Sequence, residues 1–250
     1  MKGPGSTLKP FPRGESRTPV SKECVILFAR YPAAGKVKTR LTPMLSKEQA
    51  AELYKKMLAA SLRTLRGCGA AAYVYCDPAG SAAALKREYA GGLECRGQNG
   101  RNIGDKMKNA FQDVFRLGFS KAVLAGTDIP GLTAGLLRKA FEEIEKRGAV
   151  IGPAKDGGYY LIGFKKDTFL APVFEGVRWG GGTVLADTAS IFNRYGRAAG
   201  TLRELRDIDN IEDISYFAGC KELKYSNPGL FKDIKRISAG AGTKQRKEQV

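Results

Sequence analysis

The 250-residue sequence contains no histidine, and this absence excludes several kinds of enzyme. Ser-His-Asp and Cys-His catalysis both need an imidazole, as does every histidine metal site. A metal in this protein would therefore be a hard cation on oxygen ligands, Mg²⁺ or Mn²⁺. A general base would be a carboxylate, a lysine, a tyrosine, a cysteine or the substrate itself.

Cysteine is scarce, and long apolar runs are missing. The five cysteines include no Cys-x-x-Cys pair, so we expect reduced thiols without a zinc site. No stretch of about 18 apolar residues occurs, and the amino terminus has no apolar signal core. We therefore expect no membrane span and a cytoplasmic location.

The formal net charge of +17 is concentrated at the two ends of the chain. Residues 1–22 carry +4 and residues 221–250 carry +5, which leaves +8 on the body between them. A moderately basic body suits an anionic ligand, whereas we expect nucleic acid to bind only through the basic ends, if it binds at all. Composition predicts a disordered leader over residues 1–22 and a basic, largely disordered tail over residues 226–250.

Strand and helix patterns alternate over residues 23–225. Continuous apolar runs at residues 24–29, 122–125 and 149–153 predict buried strands. Ser46 with Gln49, and later Thr133, predict the starts of helices. This alternation predicts one α/β domain, a three-layer α/β/α sandwich with a mostly parallel central sheet.

The loop after the first strand is basic and contains no acidic residue. We interpret it as a cradle for a nucleotide pyrophosphate, held by its four cations Arg30, Lys36, Lys38 and Arg40. A solvated basic loop is the alternative. A P-loop ATPase is excluded, because the glycine spacing is wrong and Val37 stands where a Ser or Thr would bind Mg²⁺.

Carboxylates follow three of the predicted strands. Asp128 comes after the run at 122–125, Asp156 after 149–153, and Asp207 with Asp209 soon after a predicted strand at 201–205. In an open parallel sheet these ends share one edge, where ligands bind. Two carboxylates with phosphate oxygens form an ordinary Mg²⁺ or Mn²⁺ site, so Asp128 and Asp209 are the predicted metal ligands. Asp128 and Asp156 are the predicted catalytic residues, and Asp156 would orient the acceptor or act as its base. Capping or turn aspartates are the alternative.

Three further segments have the composition of binding loops. The polar loop that begins at Gln98 could contact a base or ribose. The loop at 177–183, with three consecutive glycines, predicts a mobile lid. The predicted substrate-binding residues are Gly157, Gly158, Tyr159, Trp179 and Thr183. The alternative for Gly157, Gly158 and Tyr159 is a hairpin turn, which would account for these residues without a binding role.

Four motifs together resemble a known family. They are the loop at 28–43, Gly-Thr-Asp-Ile-Pro-Gly at 126–131, Gly-Pro-Ala-Lys-Asp-Gly-Gly-Tyr-Tyr at 152–160, and Asp-Ile-Asp-Asn-Ile-Glu-Asp at 207–213. Over residues 23–220 the sequence resembles the prokaryotic glycosyltransferase-like family also called radical-SAM/selenodomain-associated transferases, some of which are assigned to arsenosugar biosynthesis. The resemblance implies the GT-A fold of nucleotide-diphospho-sugar transferases, a nucleotide cradle at the first loop and a metal aspartate at Asp128. Our leading hypothesis is metal-dependent glycosyl transfer from a nucleotide-sugar to a small-molecule acceptor.

Two other functions stay open. The run Lys-Thr-Arg-Leu at 38–41 is similar to the loop of phospholactate guanylyltransferases. The pairing of Asp128 with a late Asp209 looks more like the molybdopterin cytidylyltransferases. A nucleotidyltransferase that releases pyrophosphate from an NTP is therefore the first alternative. A non-catalytic nucleotide- or RNA-binding protein is the second, supported by the basic ends.

Overall fold

The computed structural model describes residues 22–247, with side chains through residue 240. The described residues form one seven-stranded sheet, whose strands are β1 (Glu23–Arg30), β2 (Ala71–Asp77), β3 (Glu94–Gly97), β4 (Lys121–Gly126), β5 (Ala149–Pro153), β6 (Tyr159–Lys165) and β7 (Gly200–Thr201). Their spatial order is β3-β2-β1-β4-β6-β5-β7. Strand β6 runs antiparallel to β4 and β5, and the other strand pairings are parallel. The predicted mostly parallel sheet is confirmed.

Within the described residues, five α-helices lie in the connections between strands, and three more follow β7. They are α1 (Lys47–Arg66), α2 (Ala82–Leu85), α3 (Ile103–Arg116), α4 (Ala134–Arg147), α5 (Val184–Arg194), α6 (Ile211–Ala218), α7 (Lys221–Ser226) and α8 (Pro228–Lys247). Ser46 and Gln49 form a reciprocal capping box at the start of α1, and Thr133 caps α4, as predicted. No helix within residues 22–247 has the length and apolar character needed to cross a bilayer.

The three-layer arrangement follows from the side chains of the central strand β1. Alternate residues of a strand point to opposite faces of the sheet. Val25 and Leu27 accordingly join a core with α1 and α4 on one face. Ile26 and Phe28 join a second core with α3 and α5 on the other face. The predicted α/β/α sandwich is confirmed.

Strand β3 was not predicted. It has only four residues, and polar Glu94 and Arg96 occupy two of them. It lies at the edge of the sheet, where a short, charged strand protects against unwanted pairing. An edge strand of this kind carries no apolar pattern from which sequence alone would identify it.

The predicted largely disordered tail is wrong over residues 228–247, which form α8. Leu230 and Ile234 lie four residues apart and are 2% and 0% exposed. They pack with Leu53 and Met57 of α1 in a third apolar cluster. The many cations in this segment conceal a helical spacing of apolar residues that continues to Ile237. The predicted leader lies outside the described residues, apart from Lys22.

The topology brings several loops to one edge of the sheet. Strands β1 and β4 are parallel, and β5 is parallel to β4 because both run antiparallel to β6. Beyond β7, the chain continues beside β5, where the N–H of Leu205 donates to the carbonyl of Pro153 at 3.0 Å. The segments that follow β1, β4, β5 and β7 therefore meet at their carboxyl ends, as ligand-binding loops do in open α/β sheets.

The docking of α8 can be tested by removing a buried side chain. We expect Ile234→Ala to lower the free energy of unfolding by about 2–4 kcal/mol, because Ile234 is fully buried between helices. Urea denaturation measures the change. Lys235→Ala, at the exposed neighbouring position, should stay within about 0.5 kcal/mol of the wild type. Equal stabilities for the two variants would show that α8 does not pack on the domain.

Candidate active site at the carboxyl edge of the sheet

The ammonium of Lys38 lies between two carboxylates that the sequence places far apart. Its Nζ is 2.9 Å from Asp128 Oδ2 and 3.0 Å from Asp209 Oδ1, and it also donates to the carbonyl of Ile208. The Lys38 side chain is only 4% exposed, whereas those of Asp128 and Asp209 are 42% and 32% exposed. The loop after β1 turns inward here, with Lys38 in the left-handed region at φ +49°.

The charges around Lys38 keep it protonated. Burial by itself would lower the pKa of Lys38, but Asp128 and Asp209 outweigh it and raise that pKa above its ordinary value. Arg40 adds a second cation, with Nη1 2.9 Å from Asp209 Oδ2. Two predicted metal ligands and two predicted phosphate-binding residues thus form one ionic cluster.

The backbone fixes the position of Asp209 relative to Asp128. The N–H of Ile208 donates to the carbonyl of Asp128 at 3.0 Å. Asn210 then caps α6, where Asp213 accepts from the backbone N–H groups of Asp209 and Asn210. The segment after β7 is therefore held against the end of β4 from both sides of Asp209.

A chain of hydroxyl groups supports Asp128 from behind. The N–H of Arg30 donates to Tyr54 Oη at 2.7 Å, and Tyr54 Oη lies 2.9 Å from Thr127 Oγ1. Thr127 Oγ1 in turn donates to Asp128 Oδ1 at 3.4 Å. Sequence analysis missed both hydroxyl residues. Tyr54 falls in the apolar stripe of α1, and Thr127 is marked only by its place beside Asp128.

Two adjoining cavities open around this cluster, and Arg30, Tyr54 and Asp128 line both. The first has a volume of ≈ 360 Å³ and is also lined by Lys38 and Arg40. The second has a volume of ≈ 430 Å³ and extends toward the ends of β2 and β3. Volumes of this size accommodate small molecules. The basic loop and the carboxylates therefore face the same space, although Lys36 is exposed and lines neither cavity.

The second cavity contains polar groups that the sequence did not single out. Asp77 Oδ1 is 2.8 Å from Lys106 Nζ. Gln98, predicted to contact a base or ribose, does line this cavity. Its amide nitrogen, however, donates to the carbonyls of Tyr75 at 2.8 Å and Ala29 at 3.3 Å. That nitrogen is committed to joining the ends of two strands, so only the rest of the side chain faces the cavity.

Asp156 occupies the turn between β5 and β6, where the N–H of Gly158 donates to its Oδ1 at 2.9 Å. Asp207 lies near this turn. Burial, followed by the charges of Asp209 and Asp156, raises the pKa of Asp207 to about 6. Asp207 thus keeps its proton to a higher pH than an ordinary aspartate does. Sequence analysis grouped it with Asp209 but assigned it no role.

The predicted lid at residues 177–183 is anchored to the body. Leu185, just after it, donates from its N–H to the carbonyl of Gly157 at 2.9 Å. Trp179 packs edge-to-face on Tyr159, with ring centroids 6.4 Å apart, and closely against Gly104. The Thr183 hydroxyl donates to Asp187 Oδ2 at 3.3 Å. Trp179, Tyr159 and Thr183 line neither cavity around Asp128, so packing and local hydrogen bonds account for their positions.

The donor set is suited to a divalent cation that arrives with phosphate. Asp128 and Asp209 already converge on one cation, the Lys38 ammonium. No group of three or more Asp, Glu or Cys side chains that could hold a metal occurs in the described part of the chain. The remaining ligands would be phosphate oxygens and water, which is how Mg²⁺ is commonly held.

Comparisons with known proteins agree with this architecture. The family described as "uncharacterized protein conserved in bacteria (DUF2064)" matches residues 58–181. The crystal structure of a candidate nucleotide-diphospho-sugar transferase from Desulfovibrio desulfuricans G20 has 31% sequence identity and a TM-score of 0.83. The match covers 89% of this chain and 98% of that one. No curated protein matches the sequence.

Two more distant structures share the fold alone. The 4-diphosphocytidyl-2C-methyl-D-erythritol synthase of Anaerococcus prevotii DSM 20548 has 13% identity and a TM-score of 0.52, over 78% of this chain and 94% of its own. Rv0371c of Mycobacterium tuberculosis H37Rv has 15% identity and a TM-score of 0.52, over 79% and 97%.

The raised pKa of Asp207 predicts a pH-dependent gain in stability for Asp207→Asn. The folded state holds this proton more tightly than the unfolded chain, so the contribution of Asp207 to stability falls as pH rises from 3.8 to about 6. We expect Asp207→Asn to raise the free energy of unfolding by about 1 kcal/mol at pH 7, after discounting for solvent screening, and to raise it little at pH 4. Urea denaturation at both pH values measures this. Asp167→Asn, at an exposed site, controls for net charge, and a gain independent of pH would contradict the assignment.

The contact between the lid segment and the Asp156 turn predicts unequal costs at two glycines. Gly157 and Gly180 have φ values of +86° and +84°. A Cβ at 157 would lie 2.1 Å from the carbonyl oxygen of Gly182, whereas nothing lies within 4 Å of one at 180. Gly180→Ala should therefore cost about 1 kcal/mol of unfolding free energy for backbone strain alone, and Gly157→Ala about 3 kcal/mol. Equal losses in thermal unfolding would show that the segment does not rest on this turn.

Proposed function

The chain belongs to the nucleotide-diphospho-sugar transferase-like family, and we propose that it is a metal-dependent glycosyltransferase that uses a nucleotide-sugar donor and a small-molecule acceptor. The observation that carries this proposal is the ionic cluster of Lys38, Arg40, Asp128 and Asp209 at one edge of the sheet. Cations for a diphosphate and carboxylates for a divalent metal face the same cavity.

The donor would lie across the two adjoining cavities. Its diphosphate would bind in the first cavity, which Lys38 and Arg40 line. Its nucleoside would occupy the second cavity, beside Gln98 and Asp77. A carboxylate after a neighbouring strand, such as Asp77, suits the hydroxyl groups of a ribose. Arg30 lines both cavities and would contact the donor where its two halves meet.

Asp128 and Asp209 would hold Mg²⁺ or Mn²⁺, which neutralises the charge of the diphosphate. In the transfer, the bond between the anomeric carbon and the phosphate oxygen breaks, and the nucleoside diphosphate leaves with the electron pair. The acceptor oxygen bonds to the anomeric carbon, and its proton passes to a carboxylate. Asp156, in the turn after β5, would take that role, and Asp207 nearby would be a second proton acceptor, of raised pKa.

Nucleotidyl transfer is the second candidate, favoured by the arrangement of the aspartates. Asp128 follows Thr127 without a second aspartate in an Asp-x-Asp pair, and its partner Asp209 comes from a late segment. The fold shared with the A. prevotii synthase is compatible with this chemistry. The acceptor would then attack the α-phosphate of an NTP, and pyrophosphate would leave.

The donor can be identified by a thermal-shift panel of nucleotide-sugars and NTPs, each with and without Mg²⁺ or Mn²⁺. A ligand at 100 times its Kd should add about 2.7 kcal/mol of stability. A metal-dependent shift with one nucleotide-sugar, followed by release of a nucleoside diphosphate on turnover, supports glycosyl transfer. A shift only with an NTP and release of pyrophosphate support nucleotidyl transfer. Salt-sensitive binding of RNA without any nucleotide shift would contradict both.

The role of Asp128 can be tested by Asp128→Asn. We expect turnover to fall by about 100-fold or more, since one electrostatic group at a developing charge contributes about 3 kcal/mol. The assay is product release with the donor identified above. Asp167→Asn, exposed and outside both cavities, should keep wild-type turnover. Full activity of Asp128→Asn would end its assignment as a metal ligand.

A further inference from the structure

We infer that the Lys38 ammonium is a resident cation that makes divalent-metal binding at Asp128 and Asp209 depend on phosphate. In the absence of a phosphate ligand, Lys38 neutralises the two carboxylates. A phosphate that enters the first cavity draws Lys38 away and frees them for the metal. The inference rests on the proposed function, because it assigns an order of events to the same site.

The first support is the completeness of the Lys38 contacts. An ammonium group has three donors. Here it has three acceptors, which are the carboxylates of Asp128 and Asp209 and the carbonyl of Ile208. With the side chain 4% exposed, every donor is satisfied in this position. Both carboxylates are therefore already paired with the Lys38 ammonium.

The second support is the space that Lys38 occupies. The oxygens that face each other across the site, Asp128 Oδ2 and Asp209 Oδ1, are 2.9 and 3.0 Å from the same nitrogen. A divalent metal binds carboxylate oxygens at about 2.1 Å, so it cannot share these two oxygens while the ammonium lies between them. The Lys38 ammonium and a divalent metal are both positive, so they would also repel each other at this range, even at the dielectric constant of water.

The third support is what could displace Lys38. The first cavity exposes Arg30 and Arg40 beside Lys38, so its walls attract an anion. A lysine stem is flexible, and its ammonium can turn toward a phosphate without a change in the backbone. The phosphate also supplies metal ligands that two carboxylates alone do not. Metal and phosphate should therefore strengthen each other's binding, as linkage requires.

The decisive measurement is a titration with Mn²⁺ in the absence of phosphate. The electron paramagnetic resonance signal of free Mn²⁺ reports how much of the metal is bound. We expect Lys38→Met to bind Mn²⁺ at least about tenfold more tightly than the wild type, because it removes the competing charge and its bulk. Lys139→Met is the matched control, since it removes the same charge at an exposed position of α4 that lines neither cavity. It should stay within about twofold of the wild type. An unchanged affinity in folded Lys38→Met would overturn the inference.

A measurement on the wild-type protein covers the case in which Lys38→Met does not fold. Thermal unfolding is recorded with Mn²⁺, with inorganic pyrophosphate, and with both at the same free concentrations. We expect a shift with both that exceeds the sum of the separate shifts, and additive shifts would overturn the inference. Where Lys38→Met folds, it should lose this excess.

The two proposals fail in different ways. If no nucleotide stabilises the wild type but Lys38→Met gains Mn²⁺ affinity, the proposed function fails and the role of Lys38 stands. If a nucleotide-sugar binds with metal, yet Lys38→Met gains nothing, the function stands and the role of Lys38 is refuted.

Discussion

The buried ammonium of Lys38 joins three segments that are distant in the chain: the loop after β1, the end of β4 and the segment beyond β7. Two carboxylates this close would repel each other without a cation between them. The ionic contact therefore holds Asp128 and Asp209 together, and it orders the loop that carries the other cations. The geometry of the cavity in front of it depends on this contact.

The sheet makes that contact possible. Strand β6 lies between β4 and β5 and is antiparallel to both. Strands β4 and β5 therefore run in the same direction, and the segments that follow them lie at the same edge of the sheet. The hydrogen bond from the N–H of Ile208 to the carbonyl of Asp128 then holds the segment beyond β7 against the end of β4, at the centre of the sheet. Cations come from the loop after the central strand, and carboxylates come from the strands on one side of it. Opposite charges thus meet at one edge of the sheet.

The support behind the site is as important as the residues that face the cavity. Tyr54 and Thr127 connect the backbone of Arg30 to Asp128 through two hydroxyl groups. Both hydroxyl residues are buried, so each hydroxyl needs a hydrogen-bond partner, and this requirement restricts the position of the chain. Away from the two cavities, Trp179 and Tyr159 pack the glycine-rich segment onto the body of the domain.

Local pattern alone determined the fold class, the basic loop and the aspartates at strand ends, because apolar runs, turn residues and charge are properties of short stretches of sequence. Tertiary structure decided that Lys38 pairs with Asp128 and Asp209, that burial and neighbouring charges raise the pKa of Asp207, and that Trp179 packs on Tyr159. It also decided that the basic carboxyl-terminal segment docks as α8. Each of these depends on contacts between residues far apart in sequence, and burial and electrostatic attraction act only once folding has brought those residues together.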